Sequence, residues 1–94
     1  FDVGNIISGL LEHTRDLLVS KNPETASLLN VGAGIRDKYL KQAEIIPQDF
    51  LLDTLELCNQ AELEYKQSKN KRLLLELLII RMCQLMDVKK KVNS

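Results

Sequence analysis

Apolar side chains recur along most of this chain at the spacing of an α-helix. The pattern predicts five helical segments: about Asp2 to Lys21, Pro23 to Leu29, Gly34 to Glu44, Pro47 to Ser68, and Lys71 to Met86. No stretch alternates apolar and polar residues with the period of two that a half-buried strand needs. We therefore predict an all-α fold, a small bundle of four to five helices in one domain over residues 1–94.

Several segment boundaries have recognisable chemical signals. Asn22 before Pro23 is typical of an N-cap followed by proline at the first helical position. Pro47 ends one segment and opens the next, and Asn70 is placed to cap the last helix. Residues 87–94 have no apolar period, so this tail is predicted to fray.

The fifth predicted helix is apolar on nearly all sides. One broad face comprises Leu74, Leu75, Leu78, Met82, Leu85 and Met86, and a second stripe on the far side comprises Leu73, Leu77 and Ile80. A helix of this kind is buried nearly all round. Either it lies at the centre of the domain, or another chain covers its second stripe.

We favour the central position on the sequence pattern. Subunit contacts would then come from other faces of the bundle, with Phe50 and Leu57 on the fourth helix as candidates. In the other arrangement, Leu73, Leu77 and Ile80 form the subunit interface.

Composition excludes several classes of protein. Apolar residues make up 45% of the 94 residues, which is enough for one core, and 13 basic residues balance 13 acidic ones. A net charge of zero gives no global attraction to nucleic acid or to an anionic membrane. The apolar runs are too short to span a bilayer. The chain opens at Phe1 without a signal peptide, so we expect a piece of a longer cytoplasmic protein.

The cysteines, the histidine and the acidic residues of the fourth helix are all explained by structural roles. Cys58 and Cys83 are predicted to be reduced and buried as small hydrophobes. His13 has no second histidine and no Cys-x-x-Cys pair to complete a zinc site, so a packing or capping role is expected. Three carboxylates of the fourth helix lie away from its apolar stripe, which predicts a solvated face: Asp49, Asp53 and Glu56.

Two further motifs are weak. Gly32-Ala33-Gly34 lacks the preceding strand and the Lys-Ser/Thr of a phosphate loop, and it is predicted to be a helix–helix turn. Basic residues cluster at Lys66, Lys69, Lys71 and Arg72, and again at 89–91, without the aromatic residues of a stacking platform. The first cluster suits the negative C-terminus of the fourth helix. No catalytic, cofactor-binding or metal-ligating residue is assigned.

Two stretches resemble a known family. Residues 9–18, Gly-Leu-Leu-Glu-His-Thr-Arg-Asp-Leu-Leu, resemble the first helix of the third domain of bacterial DNA polymerase III gamma/tau subunits. Residues 68–78, Ser-Lys-Asn-Lys-Arg-Leu-Leu-Leu-Glu-Leu-Leu, with the continuation from Arg81 to Leu85, resemble its last helix. Residues 31–39 and 55–59 also fit one branch of this family.

The resemblance implies an oligomerisation domain. In this family, the third domains form the pentameric collar of the clamp loader, which places the sliding clamp on primed DNA during replication. The implied partners are copies of the chain and sister subunits of the delta and delta-prime types. DNA is reached only through the parent complex, and no membrane is involved.

The resemblance also implies what this fragment does not do. The parent is an AAA+ ATPase within the DNA-directed DNA polymerase holoenzyme, but its phosphate loop, zinc module and arginine finger have no counterpart among these residues. We therefore expect no enzymatic activity, no ATP and no zinc here. Both the gamma and the tau forms fit.

Two other functions fit the residues without the resemblance. One is a helical adaptor with a groove for a partner helix, and the other is a small helical DNA-binding domain. Steep salt dependence distinguishes DNA binding from the rest. Stoichiometry distinguishes a collar domain, which binds copies of itself or sister subunits, from an adaptor.

Overall fold

The computed structural model describes residues 2–93, with side chains up to Val88. Five helices follow one another along the chain: α1 Val3–Ser20, α2 Pro23–Ala26, α3 Ala33–Ile45, α4 Gln48–Tyr65 and α5 Lys71–Asn93. Residues 2–93 contain no strand. The predicted all-α bundle is confirmed.

Side-chain caps start three of the helices. The Asp2 carboxylate accepts hydrogen bonds from the backbone N–H groups of Gly4 and Asn5, at 2.9 and 3.4 Å. The Asn22 side chain accepts from Glu24 N–H at 2.9 Å, and Pro23 follows at the first helical position. These bonds satisfy N–H groups that have no partner inside the helix.

Asn70 likewise caps α5, accepting from Leu73 N–H at 3.0 Å. The predicted end of α5 at Met86 is wrong, because the helix continues to Asn93. Residues 87–93 lack an apolar period, but they include no proline or glycine to stop the helix. The side chains of residues 89–93, and Ser94 entirely, lie outside the described part of the chain.

Two clusters of buried side chains lie along the pair formed by α1 and α4. The first cluster joins α1 and α4 to α5 and consists of Ile7, Cys58, Ala61, Leu75 and Leu78. The second cluster joins α1 and α4 to α3 and consists of Leu17, Ala43 and Leu51. The start of α1 thus packs near the end of α4, so the two helices are antiparallel. The buried Thr14 and Thr54 lie between the clusters along their helices.

The bundle is flat. Its extents are 41 × 35 × 20 Å, and its radius of gyration is 14.4 Å, against about 12 Å for a compact chain of this length. An α-helix with its side chains is about 10 Å across, so 20 Å holds only two helix layers. Helix α5 packs on α4 and, less extensively, on α1. It is an edge helix, and the prediction that it lies at the centre is wrong.

Polar contacts fix the connections around α2. Thr25 Oγ1 donates to the Val19 carbonyl at 2.8 Å, and Lys21 Nζ donates to the Ala43 carbonyl at 2.6 Å. The Lys21 ammonium therefore lies at the C-terminal end of α3, where the helix dipole favours a positive charge. These bonds hold α2 and α3 against the end of α1.

The two glycines of α1 have different surroundings. A Cβ atom on Gly4 would lie 3.0 Å from Tyr65 Cζ, whereas one on Gly9 would have no atom within 4 Å. Gly9→Ala is expected to raise the free energy of unfolding by about 0.5–1 kcal/mol, because alanine loses less backbone entropy in a helix. In Gly4→Ala the displaced Tyr65 ring cancels that gain. Urea melts measure both, and equal stabilisation by the two variants would contradict the Tyr65 contact.

Candidate functional site

Helix α5 has a buried and an exposed apolar side. Leu75 and Leu78 are buried in the first cluster. Leu73, Leu77 and Ile80 are 49%, 40% and 52% exposed. At about 100° per residue, these three positions lie within about 60° of one another and nearly opposite the buried pair. We call Leu73, Leu77 and Ile80 the outer stripe.

The outer stripe is not part of a closed core, contrary to the prediction from sequence. A two-layer bundle has no third layer to cover the far side of an edge helix. The second arrangement considered from the sequence, in which the stripe is available to another chain, therefore matches the geometry.

Charged and polar residues border the outer stripe. Glu76 lies along one edge and Arg81 along the other, and both are exposed. Arg72 Nε is 3.5 Å from Glu76 Oε1, and because both side chains are exposed, this ion pair adds little stability. Gln84 continues the line of the stripe, so its apolar part ends at Ile80.

The other two candidate contacts lie elsewhere. Phe50 and Leu57 on α4 are half-buried, and Leu57 packs against the first cluster. Leu57 also lines a groove of about 630 Å³ between α4 and α5, together with Leu85 and Val88. The five candidate residues therefore occupy two surfaces, and only the outer stripe is a row of exposed apolar side chains.

Some exposed apolar residues were not identified from the sequence. Leu63 on α4 is 66% exposed, and Ile79 and Met86 on α5 are about half exposed. Met86 was predicted to be on the broad buried face, and that placement is wrong because its side chain is 53% exposed.

The two cysteines have different environments. Cys58 is a buried free thiol in the first cluster, and burial raises its pKa, so it behaves as a small hydrophobe. Cys83 is also free but exposed, so its predicted burial is wrong. In helical projection it lies close to Glu76, on the flank of α5 between the buried pair and the outer stripe.

The remaining titratable candidates are His13 on α1 and three carboxylates on α4. His13 Nδ1 lies 3.3 Å from Tyr39 Oη and the rings are 5.5 Å apart, so His13 links α1 to α3. On α4, Asp49 and Glu56 are exposed and Asp53 is half-buried. Within the described residues, no group of three or more His, Cys, Asp or Glu side chains is placed to hold a metal ion.

One lysine of the first basic cluster has a structural role. Lys71 Nζ donates to the carbonyls of Tyr65 and Ser68, at 2.7 and 3.0 Å, and lies 4.4 Å from the centroid of the Tyr65 ring. It therefore stabilises the C-terminus of α4, as the sequence predicted. The second cluster, 89–91, lies outside the described side chains. At Gly32-Ala33-Gly34, Gly32 is the N-cap of α3 and Ala33 and Gly34 begin the helix, so only Gly32 of the predicted helix–helix turn lies outside a helix.

Comparison with known proteins identifies no relative of this chain. A scan against models of protein families finds no match, and searches of curated proteins and of solved structures find none either. None of the helices in residues 2–93 combines the length and the apolarity that crossing a bilayer requires. A functional assignment for this chain therefore depends on its own residues and geometry.

Proposed function

We propose that this chain is an oligomerisation domain, and that it serves as the third, collar-forming domain of a bacterial DNA polymerase III gamma/tau subunit. The observation that supports an oligomerisation domain is the outer stripe. Leu73, Leu77 and Ile80 expose a row of apolar surface that the fold of one chain does not use. Contiguous apolar surface of this kind marks interaction sites on folded proteins.

The resemblance in sequence supports the assignment to the gamma/tau subunit. The outer stripe falls within the stretch 68–85, which resembles the last helix of that family's third domain. In this proposal, the domain contributes association by burying apolar helix faces between subunits. Nucleotide chemistry and DNA contact belong to other parts of a cytoplasmic parent complex, whose sister subunits are of the delta and delta-prime types.

DNA binding by this domain itself is less favoured. Lys71 is committed to two carbonyl groups and the Tyr65 ring. Its ammonium is therefore not free to contact a phosphate, which leaves three residues of that cluster: Lys66, Lys69 and Arg72. An adaptor that binds an unrelated helix would use the same outer stripe, and stoichiometry separates it from a collar domain.

The association is tested by sedimentation of the wild-type chain and of Ile80→Lys. The wild type is expected to shift to higher mass as its concentration rises, whereas Ile80→Lys stays monomeric because a lysine in the contact must be desolvated. Leu63→Lys is the matched control. Leu63 is more exposed than Ile80 but lies on α4, so this variant should associate like the wild type.

One result would contradict the oligomerisation function, and another would contradict only the clamp-loader assignment. A wild-type chain that stays monomeric up to millimolar concentration would remove the oligomerisation function. In mixing experiments, the other result is a chain that associates with itself but binds no delta or delta-prime collar domain. That result would support an oligomerisation domain and contradict the clamp-loader assignment.

A further inference from the structure

The outer stripe continues as a heptad seam. Leu73, Leu77, Ile80, Gln84 and Asp87 follow one another at alternating spacings of four and three residues. This is the spacing of the d and a positions through which helices pair in a coiled coil. In that register, Glu76 occupies a g position and Arg81 an e position, one on each side of the seam.

We infer that α5 pairs with α5 of a second copy in parallel and in register; this inference rests on the proposed oligomerisation. In a parallel pair, a g residue faces the e residue five positions later on the other helix. Glu76 then lies beside the partner's Arg81. A dimer contains this pair twice, and every interface of a larger closed ring with cyclic symmetry contains it once.

An antiparallel pair does not use these charges. There, g positions face g positions and e positions face e positions. Glu76 would lie beside the partner's Cys83, and Arg81 would lie beside the partner's Leu74. Neither charge would be compensated, so the charge pattern selects the parallel arrangement.

The polar end of the seam limits the strength of the pairing. Gln84 and Asp87 occupy the next a and d positions, and two copies of Asp87 repel each other in a parallel pair. The apolar contact is therefore confined to Leu73, Leu77 and Ile80. This is far smaller than the about 800 Å² that each partner buries in a standard stable interface. We expect weak association that depends on concentration.

Charge reversal at the two edges tests the orientation. Glu76→Arg places two arginine side chains together across the pair, and Arg81→Glu places two glutamates together. Each variant alone is expected to associate about tenfold more weakly than the wild type, since every cross-helix attraction becomes a repulsion. An equimolar mixture should regain the wild-type strength, because each mixed parallel pair has two complementary contacts. Sedimentation equilibrium measures all four samples.

Lys41→Glu is the control, because it reverses an exposed positive charge on α3, a helix that does not pack against α5. It should associate like the wild type, and circular dichroism should show all variants folded. A mixture that binds no more tightly than its components would overturn the parallel pairing while leaving oligomerisation intact. A monomeric wild-type chain would instead overturn the proposed function.

Discussion

Leu78→Glu is expected to unfold the domain, whereas Leu77→Glu, one residue earlier, is expected to leave it folded. Leu78 is 3% exposed and belongs to the first cluster, which joins α1, α4 and α5. An unpaired charge buried there costs several kcal/mol even after relaxation. That is comparable with the entire stability of a small domain, about 5–15 kcal/mol.

Leu77 belongs to the outer stripe and already contacts solvent. A glutamate at this position stays hydrated, so the free energy of unfolding should change by only about 0.5 kcal/mol. The same substitution removes apolar surface from the proposed contact, and the folded variant should therefore be monomeric.

Circular dichroism melts and sedimentation of both variants measure these effects together. The expected pattern is loss of the cooperative transition in Leu78→Glu, and a cooperative, monomeric Leu77→Glu. A Leu78→Glu variant that melts close to the wild type would contradict the position of Leu78 in the core. Unfolding of Leu77→Glu would contradict the two-layer arrangement.

This pair of residues also indicates what the sequence could predict. The apolar period identified α5 and its two faces, because that period follows from helix geometry alone. The period does not state how many layers of helix surround each face. Leu77 and Leu78 are the same residue type at neighbouring positions. Their environments differ because a bundle only 20 Å thick has two helix layers, so it covers the Leu78 face of α5 and leaves the Leu77 face open.

The candidate site could be predicted to a similar extent. Leu73, Leu77 and Ile80 were identified as one of two possible contact surfaces, and the structure exposes them. The contribution of Glu76 and Arg81 could not be assigned from the sequence, since bordering charges have no defined role until the apolar row between them is known to face outward. Phe50 and Leu57 were selected by the same periodicity, but both are half-buried.

The connection between α2 and α3 offers a second neighbouring pair with very different burial. The sequence placed Leu28 and Leu29 together in one short helical piece. In the structure α2 ends at Ala26, and the two leucines follow it, with Leu28 58% exposed and Leu29 1% exposed. The Leu29 carbonyl also accepts a hydrogen bond from Arg36 Nη2 at 3.1 Å, which joins this connection to α3.

Leu29→Ala is therefore expected to lower the free energy of unfolding by about 2–4 kcal/mol, because it removes a buried side chain and leaves a cavity. Leu28→Ala is the matched control and should cost less than about 0.5 kcal/mol, since it is a change at the surface. Urea denaturation of both variants measures the difference as a shift in midpoint at unchanged slope. Equal losses in the two variants would contradict the burial of Leu29. The expected difference would establish that this connection, which the Arg36 hydrogen bond joins to α3, is a packed part of the fold.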